Sequence, residues 1–202
     1  MVFPVFRGAV VAALLLASAP ASAQQFSDGY EFLKAVRDAD GNKVNTYLQD
    51  KSLRIVNTRD RTTGEGALHI VAKRSDALYL RVLLQQGEAN RNLQDSQGNT
   101  ALLIATERSW QEGVATLLRY KANVNLQNAR GETPLIRAVQ VHNTEIVRML
   151  LDAGADPDKA DFGSGKSARD YAREGTRWPA IAKLIADTPK GGGKPAAAGP
   201  GL

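Results

Sequence analysis

Residues 160–167 read ADFGSGKS and fit the looser phosphate-binding loop pattern: Ala or Gly, four residues, then Gly-Lys and Ser or Thr. In a working loop, the lysine and backbone N–H groups surround the phosphates between a buried strand and a helix. Here the preceding residues, GADPDK, have the composition of a turn, and no apolar strand ending in Asp follows to hold magnesium. A nucleotide-dependent enzyme using Lys166 is therefore only a minor hypothesis, and no cofactor is predicted.

Acidic residues and histidines are the other groups whose types could support chemistry. Asp156, Asp158 and Asp161 suggest a calcium loop, but the spacing fails because position 160 is alanine. His69 could be a metal ligand or a base, yet no second His, Cys or acid cluster accompanies it in the pattern. A structural role is favoured for His69, no metal site is predicted, and the absence of a catalytic set argues against an enzyme.

A repeated unit positions all of these residues. An apolar pair recurs at steps of 34, 33 and 34 residues, as Leu83-Leu84, Leu117-Leu118, Leu150-Leu151 and Leu184-Ile185. A helix start recurs in parallel, as Gly66-Ala67-Leu68, Thr100-Ala101-Leu102, Thr133-Pro134-Leu135 and Ser167-Ala168-Arg169. Two independent landmarks with one period predict a stack of similar helix pairs, each burying its apolar face against its neighbours.

These segments resemble the ankyrin repeat. GETPLIRAV with LLDAGADPD matches its pattern closely, GNTALLIAT and GEGALHIVA match well, and GKSARDYAR is weaker. The resemblance covers about residues 28–188. It implies an all-α solenoid of about five helix-turn-helix units with β-turn or hairpin fingers, and a non-enzymatic binding scaffold. In the family, the imidazole equivalent to His69 bridges backbone groups of adjacent turns.

The ends of the chain differ from the repeats. Residues 1–23 contain one charged side chain, Arg7, then AVVAALLLA and the small residues Ala21-Ser22-Ala23, which predicts a signal peptide cleaved after Ala23. An uncleaved anchor is the alternative, and a periplasmic or secreted protein is expected. The predicted units are 24–60, an N-terminal capping repeat, the repeats 61–95, 96–127 and 128–160, a C-terminal capping repeat 161–188, and a disordered tail 189–202.

Five local features carry expectations of their own. Gly41-Asn42 is predicted to form the turn between the first two helices, and Lys121, which replaces a glycine, predicts a locally irregular turn. Arg169 is expected on the charged outer face of the last repeat, and Pro179 in the first turn of the last helix. Trp110 lies between two helices, either as an exposed contact residue or folded over a neighbouring repeat.

The predicted binding surface consists of exposed finger and helix-end positions that the repeat leaves free. The finger candidates are Arg61, Thr63, Glu65, Gln97, Asn99, Arg130, Glu132, Phe162 and Lys166. The helix-end candidates are Lys73, Arg74, Glu107, Arg108, Gln140 and Val141, together with Trp110. Arg61, Arg74, Arg108, Arg130 and Lys166 would give this surface a positive bias, suited to an acidic protein segment.

The expected partner is another exported protein. This chain would bind it and act as its scaffold, stabiliser or assembly factor. The alternative is an immunity or inhibitor protein that blocks one exported enzyme or toxin. The formal net charge is +5, or +4 without Arg7, which is too mild and too scattered to predict nucleic-acid binding. A monomer is expected, without membrane association once the signal peptide is cleaved.

Overall fold

The computed structural model describes residues 21–50, 55–175 and 177–190, which form five consecutive helix pairs, numbered here as repeats 1 to 5. The pairs are α1 (Ala21–Arg37) with α2 (Gly41–Gln49), α3 (Ala67–Arg74) with α4 (Ala77–Gln85), α5 (Ala101–Glu107) with α6 (Gln111–Arg119), α7 (Pro134–Gln140) with α8 (Thr144–Asp152), and α9 (Ala168–Glu174) with α10 (Pro179–Ala186). A 3₁₀ turn, Ile55–Asn57, connects repeats 1 and 2. The predicted all-α solenoid is confirmed.

The core is a row of small apolar contacts rather than one central cluster. The inner helices α1, α3, α5, α7 and α9 pack in series, and the outer helices α4, α6, α8 and α10 do the same behind them. Leu102 and Leu135, at equivalent positions on inner helices, are fully buried, as are Leu117 and Leu150 on outer helices. The period seen in the sequence is therefore the period of burial, and each repeat is stabilised by its neighbours.

The predicted ends of the chain fall largely outside the described residues. Of the predicted signal peptide, 1–23, only the last three residues are described, and they belong to the first turn of α1. Of the predicted tail, 189–202, only Pro189 and Lys190 are described. Both assignments remain predictions from composition.

The first helix pair turns earlier than expected. The turn lies at Asp38 and Ala39, where Ala39 has a φ of 56°, and α2 already begins at Gly41. The carboxylate of Asp40 accepts the Lys43 N–H at 3.1 Å and so caps the first turn of α2. The prediction of a turn at Gly41-Asn42 is therefore wrong, because the cap decides where the helix starts.

The link after α6 is regular although lysine replaces glycine there. Lys121 adopts the left-handed conformation with a φ of 63°. Its N–H donates to the Leu118 carbonyl at 2.9 Å, and the next N–H donates to Leu117 at 3.0 Å. Gly154 makes the equivalent bond to Leu151 at 3.0 Å. The predicted irregularity is wrong: the two hydrogen bonds hold the turn against a local cost of about 1–2 kcal/mol.

Arg169 is not on an exposed outer face, as was expected of a C-terminal cap. Its side chain is buried and forms two hydrogen bonds to the carboxylate of Asp158, at 2.6 and 3.2 Å. Its guanidinium also donates to the carbonyls of Ile185 at 2.6 Å and Thr188 at 3.0 Å. Arg169 thus fastens the end of α10 to the rest of repeat 5. Pro179 occupies the first turn of α10, as predicted.

Candidate functional site

Four fingers project between successive repeats and are joined at their tips. They comprise residues 60–65, 95–99, 128–132 and 161–166. Each of the last three tips donates one backbone hydrogen bond to the finger before it: Ser96 to Thr63 at 3.0 Å, Ala129 to Gln97 at 2.8 Å and Phe162 to Arg130 at 2.8 Å. This series of tips is called the finger strip below. Its backbone is held in register, so its exposed side chains have fixed spacing.

A carboxylate or amide at the base of each finger holds the tip from within. Asp60 accepts the N–H groups of Thr62 and Thr63 at 2.9 and 3.0 Å. Those backbone bonds and the guanidinium of Arg37, 2.8 Å away, lower the pKa of Asp60 to about 2. Asn128 plays the same role in the third finger, where it accepts the N–H of Glu132 at 3.0 Å. These groups are structural and leave little acceptor capacity for a ligand.

His69 joins two fingers, as the repeat pattern implied. Its Nδ1 accepts the Gly66 N–H at 3.0 Å, so Nε2 carries the proton and donates to the Asn99 carbonyl at 2.9 Å. The imidazole is fully buried, and this burial lowers its pKa, which keeps the ring neutral. Within the described ranges, no group of three or more His, Asp or Glu side chains is placed to hold a metal ion.

Most of the predicted charged contacts are paired within the protein. Lys73 pairs with Glu65, and Glu107 pairs with Arg137 of the next inner helix. Arg130 lies 2.8 Å from Glu132, and Lys166 lies 2.8 Å from Glu174. The predicted positive bias is therefore largely cancelled, because at least three of its five cations are engaged in pairs or carbonyl contacts.

Arg74 is the third of these engaged cations. Its guanidinium donates to the Val36 carbonyl at 2.6 Å and to the carboxylate of Asp76 at 3.0 Å, and it lies over the ring of Tyr79. Arg74 therefore fastens the end of α1 to repeat 2. It presents little of its charge to a partner.

The remaining candidates divide into outward and inward positions. Five candidates are exposed. Four of them lie on the finger strip, namely Arg61, Thr63, Gln97 and Phe162, and Arg108 lies at the end of α5. Four others face the protein or are partly covered: Asn99, Glu132, Gln140 and Val141. The structure thus brings Arg61, Thr63, Gln97, Arg130 and Phe162 together along one edge.

The phosphate-loop pattern has no phosphate-loop structure. Ala160 and Ser167 pair across the last finger as an isolated antiparallel bridge, not as the end of a buried strand. The hydroxyl of Ser167 caps α9 and contacts Asp170 at 2.6 Å, while Lys166 is held by Glu174 and lies over Tyr171. Both side chains that would touch nucleotide are engaged in the fold of repeat 5.

Trp110 is half-buried at the start of α6. It occupies the N-cap position, where Asp76 and Asn143 cap the equivalent outer helices α4 and α8, but the indole offers no cap. Its ring lies over Gly113, so closely that a Cβ built on this glycine would be 2.1 Å from the ring atom Cε3. The ring therefore packs on its own helix and is partly buried against the core.

Trp178 occupies the same N-cap position on α10 and was missed from the sequence. Its indole is 43 % exposed and stacks on His142 of the preceding link, with ring centroids 4.7 Å apart and an interplanar angle of 15°. Beside it lies a cavity of about 330 Å³ between repeats 4 and 5, here called the link cavity. Its lining residues are Val139, Gln140, His142, Tyr171, Ala172, Glu174, Gly175, Trp178 and Ile181.

A signal for this cavity was present in the sequence. Three residues after Trp110 stands Gly113, whereas three residues after Trp178 stands Ile181, which is buried. With a bulky side chain at that position, the ring of Trp178 has no bare backbone to lie on. It instead stands against His142 and leaves the link cavity open.

A family model described as ankyrin repeats (3 copies) matches residues 32–128 and 68–161, which together span well over half of the chain. Among the described residues, no helix is both long and apolar enough to cross a membrane.

Proposed function

Because the chain belongs to the ankyrin repeat family, whose members are protein–protein interaction modules, we propose that it binds another exported protein. The role proposed is that of a scaffold, stabiliser or assembly factor, without catalysis. The protein itself is a monomer in this proposal, and it acts in the periplasm or after secretion. Export is supported by the composition of residues 1–23, with one charged residue before an apolar run and small residues at 21–23.

The observation that carries the proposal is the finger strip. Its tips carry exposed side chains, yet their backbones are fixed by one hydrogen bond between each pair of neighbouring tips and by a capping side chain at each base. Binding to such a surface requires little additional ordering of the backbone, which favours affinity. The side chains of Arg61, Gln97 and Arg130 are exposed on this strip, where a partner can reach them.

Affinity capture with matched variants tests the role of the finger strip. The tip variant replaces Arg61, Gln97 and Arg130 by alanine. The control replaces two other cations and one glutamine on exposed outer-helix positions, Arg119, Lys183 and Gln111. We expect a partner that is enriched by the wild-type protein and the control, and lost with the tip variant.

Equal capture by both variants would contradict the proposed surface, and failure of the wild-type protein to enrich any exported protein would contradict the function. If the captured protein is an enzyme or toxin whose activity falls on stoichiometric addition, the inhibitor alternative replaces the scaffold. Export is tested separately by cell fractionation and N-terminal sequencing, with Gln24 expected as the first residue of the mature chain.

A further inference from the structure

We propose that the link cavity binds one aromatic side chain of an acidic segment of the partner protein. This inference rests on the proposed function, because it names the chemistry of the segment that such a partner presents. It concerns a surface at the opposite ends of the inner helices from the finger strip, since α7 and α9 begin at the fingers and end at the links.

The shape of the link cavity suits a single side chain. Its floor is apolar and already buried, with Val139, Ala172 and Ile181 at 4 %, 5 % and 1 % exposure. Its volume of about 330 Å³ is at the lower end of the range for ligand pockets, which is too small for a folded element. An apolar floor of this size gains most from a large, flat apolar group, so an aromatic side chain is the best match.

The aromatic wall of the cavity is ordered before anything binds. Trp178 stacks on His142 at 4.7 Å, and 43 % of its surface remains exposed. An exposed indole that is already held in place loses little conformational freedom on binding. Tryptophan is also among the side chains that contribute most at protein interfaces.

Charges at the rim select the residues beside that aromatic group. Glu174 is compensated by Lys166, whose Nζ lies 2.8 Å from its carboxylate. Arg177 lines the adjoining hollow with His142 and Trp178, is exposed, and forms no ion pair with any residue that the structure describes. The rim therefore presents one uncompensated positive charge. Charge complementarity then favours an aspartate or glutamate next to the aromatic residue.

The other possible occupants lie within this chain. Residues 191–202 contain no aromatic side chain and no acid, so the chain's own tail lacks both required groups. A second copy could offer Tyr30, which is 61 % exposed and has Asp28 and Glu31 beside it. Tyr30, however, projects from α1, where Gly29 packs tightly on Thr58. An extended segment of a different protein reaches a cavity more readily than a side chain held on a packed helix.

The test uses Trp178 itself as the reporter. In a Trp110→Phe background, Trp178 is the sole tryptophan, because the chain contains two. The probes are three synthetic peptides: Gly-Asp-Glu-Phe-Glu-Asp-Gly, the same peptide with Phe replaced by Ala, and the same peptide with all four acids replaced by Lys. We expect the first peptide to change the Trp178 fluorescence saturably, with a Kd at or below about 1 mM. Each control peptide should bind at least about tenfold more weakly.

Charge reversal identifies the rim residue. Arg177→Glu should weaken the acidic Phe peptide at least about tenfold, whereas Arg119→Glu on α6 should leave its affinity unchanged. As a check that does not depend on the Trp110→Phe fold, indole N–H signals of the wild-type protein are followed by NMR. Only the Trp178 signal, assigned from Trp178→Phe, should shift. Equal responses to all three peptides, no saturable response, or an unchanged affinity in Arg177→Glu would each overturn the inference.

Self-association is measured by sedimentation of the wild-type protein and of Tyr30→Ala. A monomer at all concentrations supports the partner as occupant, while concentration-dependent assembly lost in Tyr30→Ala and in Trp178→Ala would replace the partner by a second copy. A protein captured equally by wild type and Trp178→Ala, but lost with the tip variant, would leave the proposed function standing and remove only this inference.

Discussion

Trp110 and Trp178 occupy the same position in two repeats, yet one ring is half-buried on its own helix and the other stacks on His142 with 43 % of its surface exposed. Neither indole caps its helix, in contrast to Asp76 and Asn143 at equivalent positions. The difference lies three residues further on, at Gly113 and Ile181. One glycine gives the ring of Trp110 a bare stretch of backbone to pack on, and its absence forces the ring of Trp178 outward.

The comparison teaches that one repeat can pack the same residue on its own helix while another leaves it partly exposed. The repeat lattice is the same at both tryptophans. What differs is whether the following helical turn has room for the ring. Large exposed side chains in repeat proteins should therefore be judged by their neighbours at helical spacing, as well as by their own type.

The largest expected effect is that of Ile181→Gly, which makes the second site resemble the first. Loss of a fully buried side chain and a glycine inside a helix should lower the free energy of unfolding by about 3–5 kcal/mol. The ring of Trp178 should then lie down on α10, with a blue shift of its emission in the Trp110→Phe background. Chemical denaturation measures the free energy of unfolding, and fluorescence spectroscopy measures the emission shift. Unchanged emission would mean that Ile181 does not control the ring.

Replacing each tryptophan by aspartate should destabilise the protein to a different extent at the two sites. In both variants the new carboxylate can accept an N–H in the first turn, as Asp76 does. Trp110→Asp loses a ring packed on Gly113, and should destabilise the protein by about 2–3 kcal/mol. Trp178→Asp loses a ring that is only partly covered, and should stay within about 1 kcal/mol of wild type. Equal losses in denaturation experiments would contradict the assigned difference in packing.

Gly113→Ala tests the packing of Trp110 by changing the glycine under its ring instead of the ring itself. The new methyl group would fall 2.1 Å from the ring of Trp110, so the ring must move, at a cost of about 1–3 kcal/mol. Gly87→Ala is the matched control, because nothing lies within 4 Å of the Cβ position there. That control should change the free energy of unfolding by less than about 0.5 kcal/mol. A red-shifted Trp110 emission in a Trp178→Phe background is expected only for Gly113→Ala.

Acid should act on the fingers through Asp60, and this is the smallest of these effects. The N–H of Thr63 and the guanidinium of Arg37, with the N–H of Thr62, hold the pKa of Asp60 at about 2 in the folded protein, below its value near 4 in an unfolded chain. The resulting stabilisation is complete above about pH 4 and is lost as the pH falls to about 2. Asp60→Asn should lose this part of the pH dependence, which denaturation experiments at a series of pH values would measure.

The fold could be predicted from the sequence because the repeat spacing and the burial period coincide. His69 was placed correctly since its two backbone partners are fixed by the lattice. Gly41-Asn42 and Lys121 were misjudged because residue preferences were weighed without the hydrogen bonds of Asp40 and of the turn after α6. Arg169 was misjudged because burial of a guanidinium depends on partners distant in sequence, here Asp158 and two carbonyls near the end of α10.

The candidate binding surface could be predicted only in part from the sequence. Exposed finger positions such as Arg61 and Gln97 follow from the repeat, whereas the pairing of Lys166 with Glu174 requires coordinates. Trp178 was overlooked because it lies in the repeat that departs most from the pattern. The partial exposure of its ring can be anticipated only when Ile181 is compared with Gly113, the residue at the equivalent position in repeat 3.

The hydrogen bond from Phe162 to the Arg130 carbonyl, 2.8 Å long, has a mechanical consequence. It ties repeats 4 and 5 together at their tips, while at the far edge the two repeats meet through the rings of His142 and Trp178. Between these two edges α7 packs on α9 and α8 packs on α10, so a change in the angle between the two repeats would alter the distance between the rings. The width of the link cavity, which lies beside these rings, would then depend on how far the solenoid is bent.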